Sequence, residues 1–232
     1  MKAGFFITGT DTGVGKTRTT CALLHAAAQL GYSTVGMKPV AAGFERQGDT
    51  WHNEDVEALI AASRVKADRR LMNPYALRNA IAPHIAAEQQ GVALRIPPVR
   101  AAFDALAEQA DVVLVEGVGG FMVPLDAGHD MADMAVALDL PVILVVGMRL
   151  GCLNHALLTA ESIHRRGLTL AGWAANDLGT DMAAFEANLV TLEQRLGGPS
   201  LAVLPWRPEE GAEAVSRHVV LPRWQSLLDG RK

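Results

Sequence analysis

A Gly-rich segment between an apolar run and an amphipathic run constrains the fold more than any other part of this 232-residue sequence. The apolar residues Gly4–Thr8 come first, the segment Gly9–Thr17 (GTDTGVGKT) follows, and an amphipathic stretch extends from Lys16 to Leu30. This order predicts a strand, a loop and a helix, with small loop residues that leave backbone N–H groups free to surround a phosphate. The positive end of the helix dipole faces the same point. The segment therefore predicts a phosphate-binding loop with a nucleoside triphosphate as its ligand.

Two side chains at the end of this loop suit the same chemistry. Lys16 can reach the β- and γ-phosphates, and the hydroxyl of Thr17 can ligate Mg²⁺. The spacing differs from the usual pattern, because Thr10 stands where that pattern has glycine and Gly9 comes one position earlier. The segment is thus a variant phosphate-binding loop; the alternative is a Gly-rich turn that opens an ordinary helix.

The composition restricts the class of protein. Half of the residues are hydrophobic, the net charge is −4 and there are two cysteines, Cys21 and Cys152. We therefore expect one α/β domain over residues 1–232, in a reducing cytoplasmic compartment and without a disulfide framework. The acidic charge disfavours non-specific binding to nucleic acid. No membrane partner is expected, since Leu140–Met148 is too short to span a bilayer and Arg231-Lys232 is too short a basic tail.

Apolar runs of strand length alternate with helical patterns along the chain. The predicted strands are Ala3–Thr8, Ser33–Met37, Asp111–Glu116, Pro141–Val146, Leu168–Ala175 and Leu201–Leu204. The predicted helices are Lys16–Leu30, Asn53–Ala62, Pro98–Gln109, Met131–Leu138, Cys152–Arg166 and Met182–Leu196, and the segment from Arg64 to Pro98 is the least regular. Continuously apolar strands favour a parallel sheet that is covered on both faces. The pattern predicts a doubly wound α/β fold, with a mainly parallel sheet and helices on both faces, of the P-loop NTPase type.

Polar residues at the ends of the predicted strands are candidate site residues, because ligands of such folds bind at the carboxyl ends of strands. Glu116 ends the third strand, where a carboxylate can hold Mg²⁺ opposite Thr17; the alternative is a partly exposed acid without a metal. Asp55 opens the next helix and would complete the oxygen shell, although it can equally be a helix cap. Lys38 would bring a second cation towards the triphosphate, unless it is simply solvated.

Motifs along nearly the whole chain resemble those of the dethiobiotin synthetase family. The matching segments are Thr8–Thr17, Gly36–Val40, Asn73–Tyr75, Pro83-His84, Val113–Gly117, Leu140–Val145, Leu150–Ala156, Leu168–Trp173 and Ala175–Asp177. The GTDT loop and the LGCLNHA segment are highly specific in combination. The resemblance implies an ATP- and Mg²⁺-dependent enzyme that carboxylates 7,8-diaminopelargonate with CO₂. A carbamate and a carbamic-phosphoric anhydride would lead to dethiobiotin, ADP and phosphate.

The resemblance also implies roles for individual residues. The implied catalytic residues are Thr12, Lys16 and Lys38, and the implied metal ligands are Thr17, Asp55 and Glu116. The implied nucleotide site comprises Gly13, Val14, Gly15, Lys16, Thr17, Arg18, Asp55, Glu116, Gly117, Val118, Gly119, Asn176, Asp177, Pro205, Trp206 and Arg207. In the implied homodimer, Thr12 and Lys38 contact the diamine, whose carboxylate binds Gly151, Cys152 and Asn154 of the other subunit.

Three positions depart from the family pattern, and two other classes of protein remain as alternatives. Gly13, Ala42 and Asn188 stand where some members of the family have Glu, Ser and Tyr, which weakens the predicted contacts to the diamine. One alternative is a regulatory P-loop ATPase of the partitioning or septum-site type, which has a signature lysine where this chain has Asp11. The other is the synthetase half of a cobyrinate amidotransferase, although 232 residues leave no room for the usual glutaminase domain.

Overall fold

The computed structural model describes residues 1–230, and Arg231 and Lys232 lie outside the described residues. The strands are β1 (Ala3–Gly9), β2 (Thr34–Met37), β3 (Val40–Ala42), β4 (Glu45–Gln47), β5 (Thr50–His52), β6 (Tyr75–Leu77), β7 (Val112–Gly120), β8 (Val142–Met148), β9 (Leu170–Asp177) and β10 (Ala202–Leu204). The α-helices are α1 (Lys16–Gln29), α2 (Glu54–Ala62), α3 (Arg69–Met72), α4 (Pro83–Gln90), α5 (Ile96–Ala107), α6 (Met131–Leu138), α7 (Cys152–Arg165), α8 (Phe185–Arg195), α9 (Ala212–Val215) and α10 (Leu221–Asp229). A 3₁₀ turn covers Ser216–His218.

The main sheet has six strands in the order β10-β9-β8-β1-β7-β2, and every adjacent pair is parallel. Alternate residues of β7 enter different cores. Val113 and Val115 belong to a buried cluster with residues of α5 and α6, whereas Leu114 belongs to a second cluster with residues of α1. Both faces of the sheet are therefore covered, and the predicted doubly wound fold is confirmed. All six predicted strands are present in this sheet.

The segment predicted to be least regular contains short helices and a short strand that no periodic sequence pattern predicts. It holds α3, β6 and α4, and β6 pairs with β3 in a two-stranded parallel sheet. Within this segment, Pro83 is the first residue of α4. Proline suits the first position of a helix, where its missing N–H would have no helical partner. Strands of three residues are too short to show alternation, so β3–β6 were not predictable.

Several strands extend beyond their predicted ends, and the extension of β7 changes the setting of a key carboxylate. β7 continues beyond Glu116 through the glycines to Gly120, and Glu116 pairs with Ile7 inside the sheet. Similarly, β9 extends through Asn176 and Asp177. Glu116 is therefore completely buried and not a partly exposed acid at a strand end. Among residues 1–230, none of the helices combines the length and the apolar character needed to cross a bilayer.

Candidate functional site

The variant phosphate loop connects β1 to α1 as predicted. Gly15 precedes the helix in a left-handed conformation, with φ of 85°, and Gly13 is also left-handed at 73°. The Thr10 N–H donates to the carbonyl of Val145 at 3.0 Å, which ties the loop to β8. Lys16 folds back over the loop, where its Nζ donates to the carbonyl of Asp11 at 3.0 Å. Burial lowers the pKa of Lys16.

Four side chains from separate elements meet beside this loop. Lys38 Nζ lies 2.7 Å from Glu116 Oε1 and also contacts Asp55 Oδ2. The Thr17 hydroxyl lies 2.7 Å from Asp55 Oδ1 and 2.7 Å from Glu116 Oε1. Burial acts to lower the pKa of Lys38, but the charges of Glu116 and Asp55 outweigh it and the pKa is raised. Burial likewise acts to raise the pKa of Asp55, and the contact with Lys38 outweighs it, so that this pKa is lowered.

The donor atoms of this cluster fit a divalent cation. Glu116 Oε2 is buried and has no hydrogen-bond partner, which leaves one carboxylate oxygen with unused acceptor capacity. A hydroxyl and two carboxylates form the hard oxygen set that Mg²⁺ prefers, and Mg²⁺ commonly takes few protein ligands beside water and phosphate oxygens. In the described part of the chain, no group of three or more His, Cys, Asp or Glu residues is arranged to hold a metal. A metal at this cluster would thus depend on Thr17 and on the nucleotide as well as on the two acids.

Asp55 is not the N-cap of α2, so the alternative that it serves only as a helix cap is wrong. The N-cap of α2 is Asn53, whose side chain accepts a hydrogen bond from the N–H of Val56 at 3.2 Å. The Asn53 amide also donates to the carbonyl of Ala42 at 3.0 Å. Asn53 therefore fixes the start of α2 against β3, and Asp55 in the first turn is left to contact Lys38 and Thr17.

A cleft of about 770 Å³ contains these side chains. The predicted site residues that line it are Thr12, Gly13, Gly15, Lys16, Thr17, Lys38, Asp55, Glu116, Val118 and Gly119. The other residues that line the cleft are Ala42, Ala80–Pro83, Val123 and Pro124. Of these, Ala80–Pro83 belong to the segment predicted to be least regular, which is why sequence reasoning did not include them. Ala42 brings only a methyl group to the cleft.

A second group of predicted residues lies at the carboxyl ends of β9 and β10. The Asn176 Nδ2 donates to the carbonyl of Val14 at 3.1 Å, whereas its Oδ1 is buried without a partner. The N–H of Gly179 donates to Asp177 Oδ1 at 2.9 Å, which forms a tight turn. The side chain of Trp206 rests against Gly179, where an added Cβ would lie 2.6 Å from the indole. Trp206 is 53% exposed and is not a core residue.

Three predicted residues lie away from the cleft of their own chain. Gly151 is the left-handed N-cap of α7, and Asn154 is exposed in the first turn of that helix. Cys152 is buried in a cluster with Leu144 and other apolar residues, so its thiol does not face solvent. The structure therefore does not bring this group together with Lys38 within one subunit, and their predicted place in a dimer stays a prediction.

Sequence reasoning did not foresee an ion pair between the phosphate loop and the segment after β8. Arg149 Nη2 lies 2.6 Å from Asp11 Oδ2. The N–H of Thr12 also donates to Asp11, and this bond, with the contact to Arg149, lowers the pKa of Asp11. Arg149 comes directly after β8, which ends at Met148 and not at the predicted Val146, so the rule applied to the predicted strand ends did not reach it.

A parallel sheet, a glycine loop at its centre and a lysine–hydroxyl pair at the start of α1 define a P-loop nucleoside triphosphatase fold. The cell division ATPase MinD of Pyrococcus furiosus has this fold, with a TM-score of 0.57 over 98% of this chain and 100% of that chain, at 18% identity. A family model described as an AAA domain matches residues 3–214. The predicted fold class is thereby confirmed.

Curated relatives define the family more narrowly. The ATP-dependent dethiobiotin synthetase of Aromatoleum aromaticum is 55% identical over 201 residues, which cover 87% of this chain and 89% of that protein. The enzyme of the same name from Xanthomonas campestris pv. campestris is 51% identical over 219 residues, covering 94% and 98%. The chain belongs to the ATP-dependent dethiobiotin synthetase family and is an enzyme of the ligase class, as its motifs predicted.

Proposed function

We propose that this chain converts 7,8-diaminopelargonate, CO₂ and ATP into dethiobiotin, ADP and phosphate, with Mg²⁺ as cofactor. The observation that carries the proposal is the meeting of Lys16, Lys38, Thr17, Asp55 and Glu116 in one cleft beside the phosphate loop. The diamine, CO₂ and ATP are the proposed small-molecule partners. A cytoplasmic location accompanies this proposal as a prediction.

The reaction is proposed to proceed in three steps whose atoms balance. One amine of the diamine adds to CO₂ and loses a proton, which gives a carbamate. A carbamate oxygen attacks the γ-phosphorus and displaces ADP, which gives a carbamic-phosphoric anhydride. The second amine attacks the carbonyl carbon, loses a proton and expels phosphate, so that a cyclic urea remains. A carbamate is a weak nucleophile, so positioning and charge stabilisation carry most of the catalysis.

Charged residues of the cleft suit the second step. The loop amides and Lys16 would hold the β- and γ-phosphates, and Mg²⁺ held by Thr17, Asp55 and Glu116 would neutralise phosphate charge. Lys38 Nζ is buried and carries its proton, because the carboxylates raise its pKa. An ammonium group in that position would stabilise the negative charge of the carbamate and of the transferring phosphoryl group. Thr12 lines the same cleft and would contact the diamine.

The base of the nucleotide is proposed to bind at the ends of β9 and β10. The unpartnered Oδ1 of Asn176 is an acceptor suited to an exocyclic amino group, such as that of adenine. Asp177 and the segment 205–207 would complete this end of the site.

The diamine carboxylate is proposed to bind at the start of α7 in a homodimer. The helix has 14 residues, and the backbone N–H group of Asn154 lies in its first turn behind the exposed Gly151. The N–H of Cys152 already donates to the carbonyl of Arg149 at 3.0 Å. Anions are favoured at such an end by the free N–H groups and by the helix dipole. A second subunit would bring this end of the helix to the cleft. The thiol of Cys152 is buried, so it is not proposed to contact the carboxylate.

The test is incubation of the purified chain with the diamine, ¹³C-bicarbonate, Mg²⁺ and ATP, with dethiobiotin detected by mass spectrometry. One ¹³C atom is expected in each product molecule. Lys16→Ala should abolish product formation, whereas Lys66→Ala, which alters an exposed lysine, should leave it unchanged. Phosphate release that proceeds equally without the diamine and bicarbonate would refute the proposal and would favour a regulatory ATPase.

A further inference from the structure

Arg18, the third residue of α1, contacts the loop that follows the edge strand β10. Its Nη1 donates to the carbonyl of Pro205 at 2.7 Å, and its Nη2 donates to the carbonyl of Arg207 at 3.1 Å. These two carbonyls lie on either side of Trp206 in the sequence. One rigid guanidinium therefore spans the main chain around a single exposed indole.

The charges around Arg18 also favour this arrangement. The carboxylates that act on its guanidinium are those of Glu210, Asp177 and Glu209. Glu210 is in turn held by Arg217, whose Nη2 lies 2.7 Å from Glu210 Oε1. The loop is thus attached at one point to α1 and at another to the 3₁₀ turn of the C-terminal region.

The indole that Arg18 brackets forms part of the proposed base pocket. Trp206 packs so closely on Gly179 that even a methyl group at Gly179 would overlap the ring, at 2.6 Å. Gly179 belongs to the turn that Asp177 closes directly after β9. The position of this indole therefore depends on the conformation of the 205–207 loop relative to the end of β9.

We propose that Arg18 is a positioning residue, which holds the 205–207 loop through its two carbonyls so that Trp206 encloses the base end of the nucleotide site. This inference rests on the proposed nucleotide site. It assigns to Arg18 an indirect role, since two of its donors are already bound to the main chain of the loop. Arg18 is in the first turn of α1, directly after Lys16 and Thr17. It therefore links the phosphate end of the site to the base end.

The energetic consequence is a change in the population of the binding-competent loop. If loss of the two hydrogen bonds leaves that conformation about one tenth populated, the apparent Kd for ATP rises about tenfold. The diamine is proposed to bind near Thr12 and Lys38, whereas Arg18 is bound to the carbonyls of Pro205 and Arg207. Turnover at saturating ATP should therefore persist.

The experiment compares Arg18→Met, Arg18→Lys and the control Arg64→Met. Arg64 Nη1 also donates to a main-chain carbonyl of α1, that of Ala28, but at the opposite end of the helix. Arg18→Met should raise the KM for ATP about tenfold, with the KM for the diamine unchanged and kcat kept within about twofold. Arg18→Lys should give a smaller rise, because one ammonium cannot span both carbonyls as a planar fork does. The control should match the parent protein.

A second readout does not depend on any nucleotide. Hydrogen exchange of the backbone amides in residues 206–211 should be faster in the nucleotide-free Arg18→Met protein than in the parent or in Arg64→Met, while exchange in β1 and β8 stays the same. Unchanged exchange in this loop would overturn the inference even if the parent protein showed no turnover. With an active parent, an unchanged KM for ATP, or an equal loss of kcat and of both substrate affinities, would also overturn it.

Discussion

Lys38 and Glu116 form an ion pair that is almost completely shielded from solvent. The distance from Nζ to Oε1 is 2.7 Å, and the side chains are 5% and 0% exposed. The pair lies between β2 and β7, which are neighbours in the sheet, so the backbone fixes both groups. Asp55 approaches the same ammonium from α2. One ammonium group and two carboxylates are therefore in contact within the site before any ligand is present.

Replacing Lys38 should destabilise the folded protein. We expect Lys38→Met to lower the free energy of unfolding by about 3–5 kcal/mol, because it leaves Glu116 buried without its cation. Urea unfolding at pH 7 would measure the change. The matched variant Lys38→Met with Glu116→Gln removes both charges and should recover part of the loss. Equal or greater destabilisation in the double variant would contradict this view of the pair.

Gly15 and Gly13 provide a matched pair of tests in the phosphate loop. Both have positive φ, so alanine at either position should cost about 1–2 kcal/mol. An added Cβ at Gly15 would lie 2.1 Å from Asn176 Nδ2, whereas nothing lies within 4 Å of one at Gly13. Gly15→Ala should therefore displace the Asn176 amide and abolish binding of a non-hydrolysable ATP analogue in calorimetry. Equal binding by the two variants would show that the contact with Asn176 does not matter.

A pH dependence is expected from Asp111, which joins the starts of β2 and β7. Its Oδ2 accepts from the Ser33 N–H at 3.1 Å and from the Ser33 hydroxyl at 2.8 Å. The bond from the Ser33 N–H, followed by that from its hydroxyl, lowers the pKa of Asp111. Because the pKa is lower in the folded state than in the unfolded state, the stabilisation is present above the unfolded value and disappears as the pH falls through the folded one.

Asp111→Asn should accordingly lower the free energy of unfolding by about 1 kcal/mol at pH 7, a typical value for a hydrogen bond. The difference from the parent protein should shrink as the pH is lowered from about 4, which is near the ordinary pKa of Asp. Thermal unfolding at a series of pH values would measure it, with Asp181→Asn as an exposed control. A difference that grows on acidification would have the wrong sign for this mechanism.

The start of α7 can be tested with two substitutions that differ in charge alone. Gly151 has φ of 95°, which Asp and Asn tolerate better than most residues. A like-charge contact at 4 Å near a surface costs about 1–4 kcal/mol, so Gly151→Asp should raise the KM for the diamine about tenfold or more. Gly151→Asn should raise it much less, and the KM for ATP should stay constant in both. Equal effects of the two variants on the diamine would remove this loop from the carboxylate site.

Much of the sheet was predictable because its strands are continuous apolar runs separated by amphipathic helices. The helix Met131–Leu138 has the predicted bounds, and other predicted ends are shifted by a few residues. Glu116 was misplaced for a simple reason: the glycines after it read as a loop, yet their backbone continues the pairing with β1 to Gly120. Tertiary pairing overrode the local signal.

Local order along the chain determined the phosphate loop, since β1, the glycines and α1 are contiguous and their geometry follows from neighbouring residues. The family motifs likewise pointed to Lys38, Asp55 and Glu116 as members of one site. Only the tertiary structure decided how these groups contact each other, because Thr17 lies 38 positions from Asp55 and 99 from Glu116. Whether a buried carboxylate meets a cation, or Arg18 meets the carbonyls beside Trp206, depends on strand order and packing, which no local pattern contains.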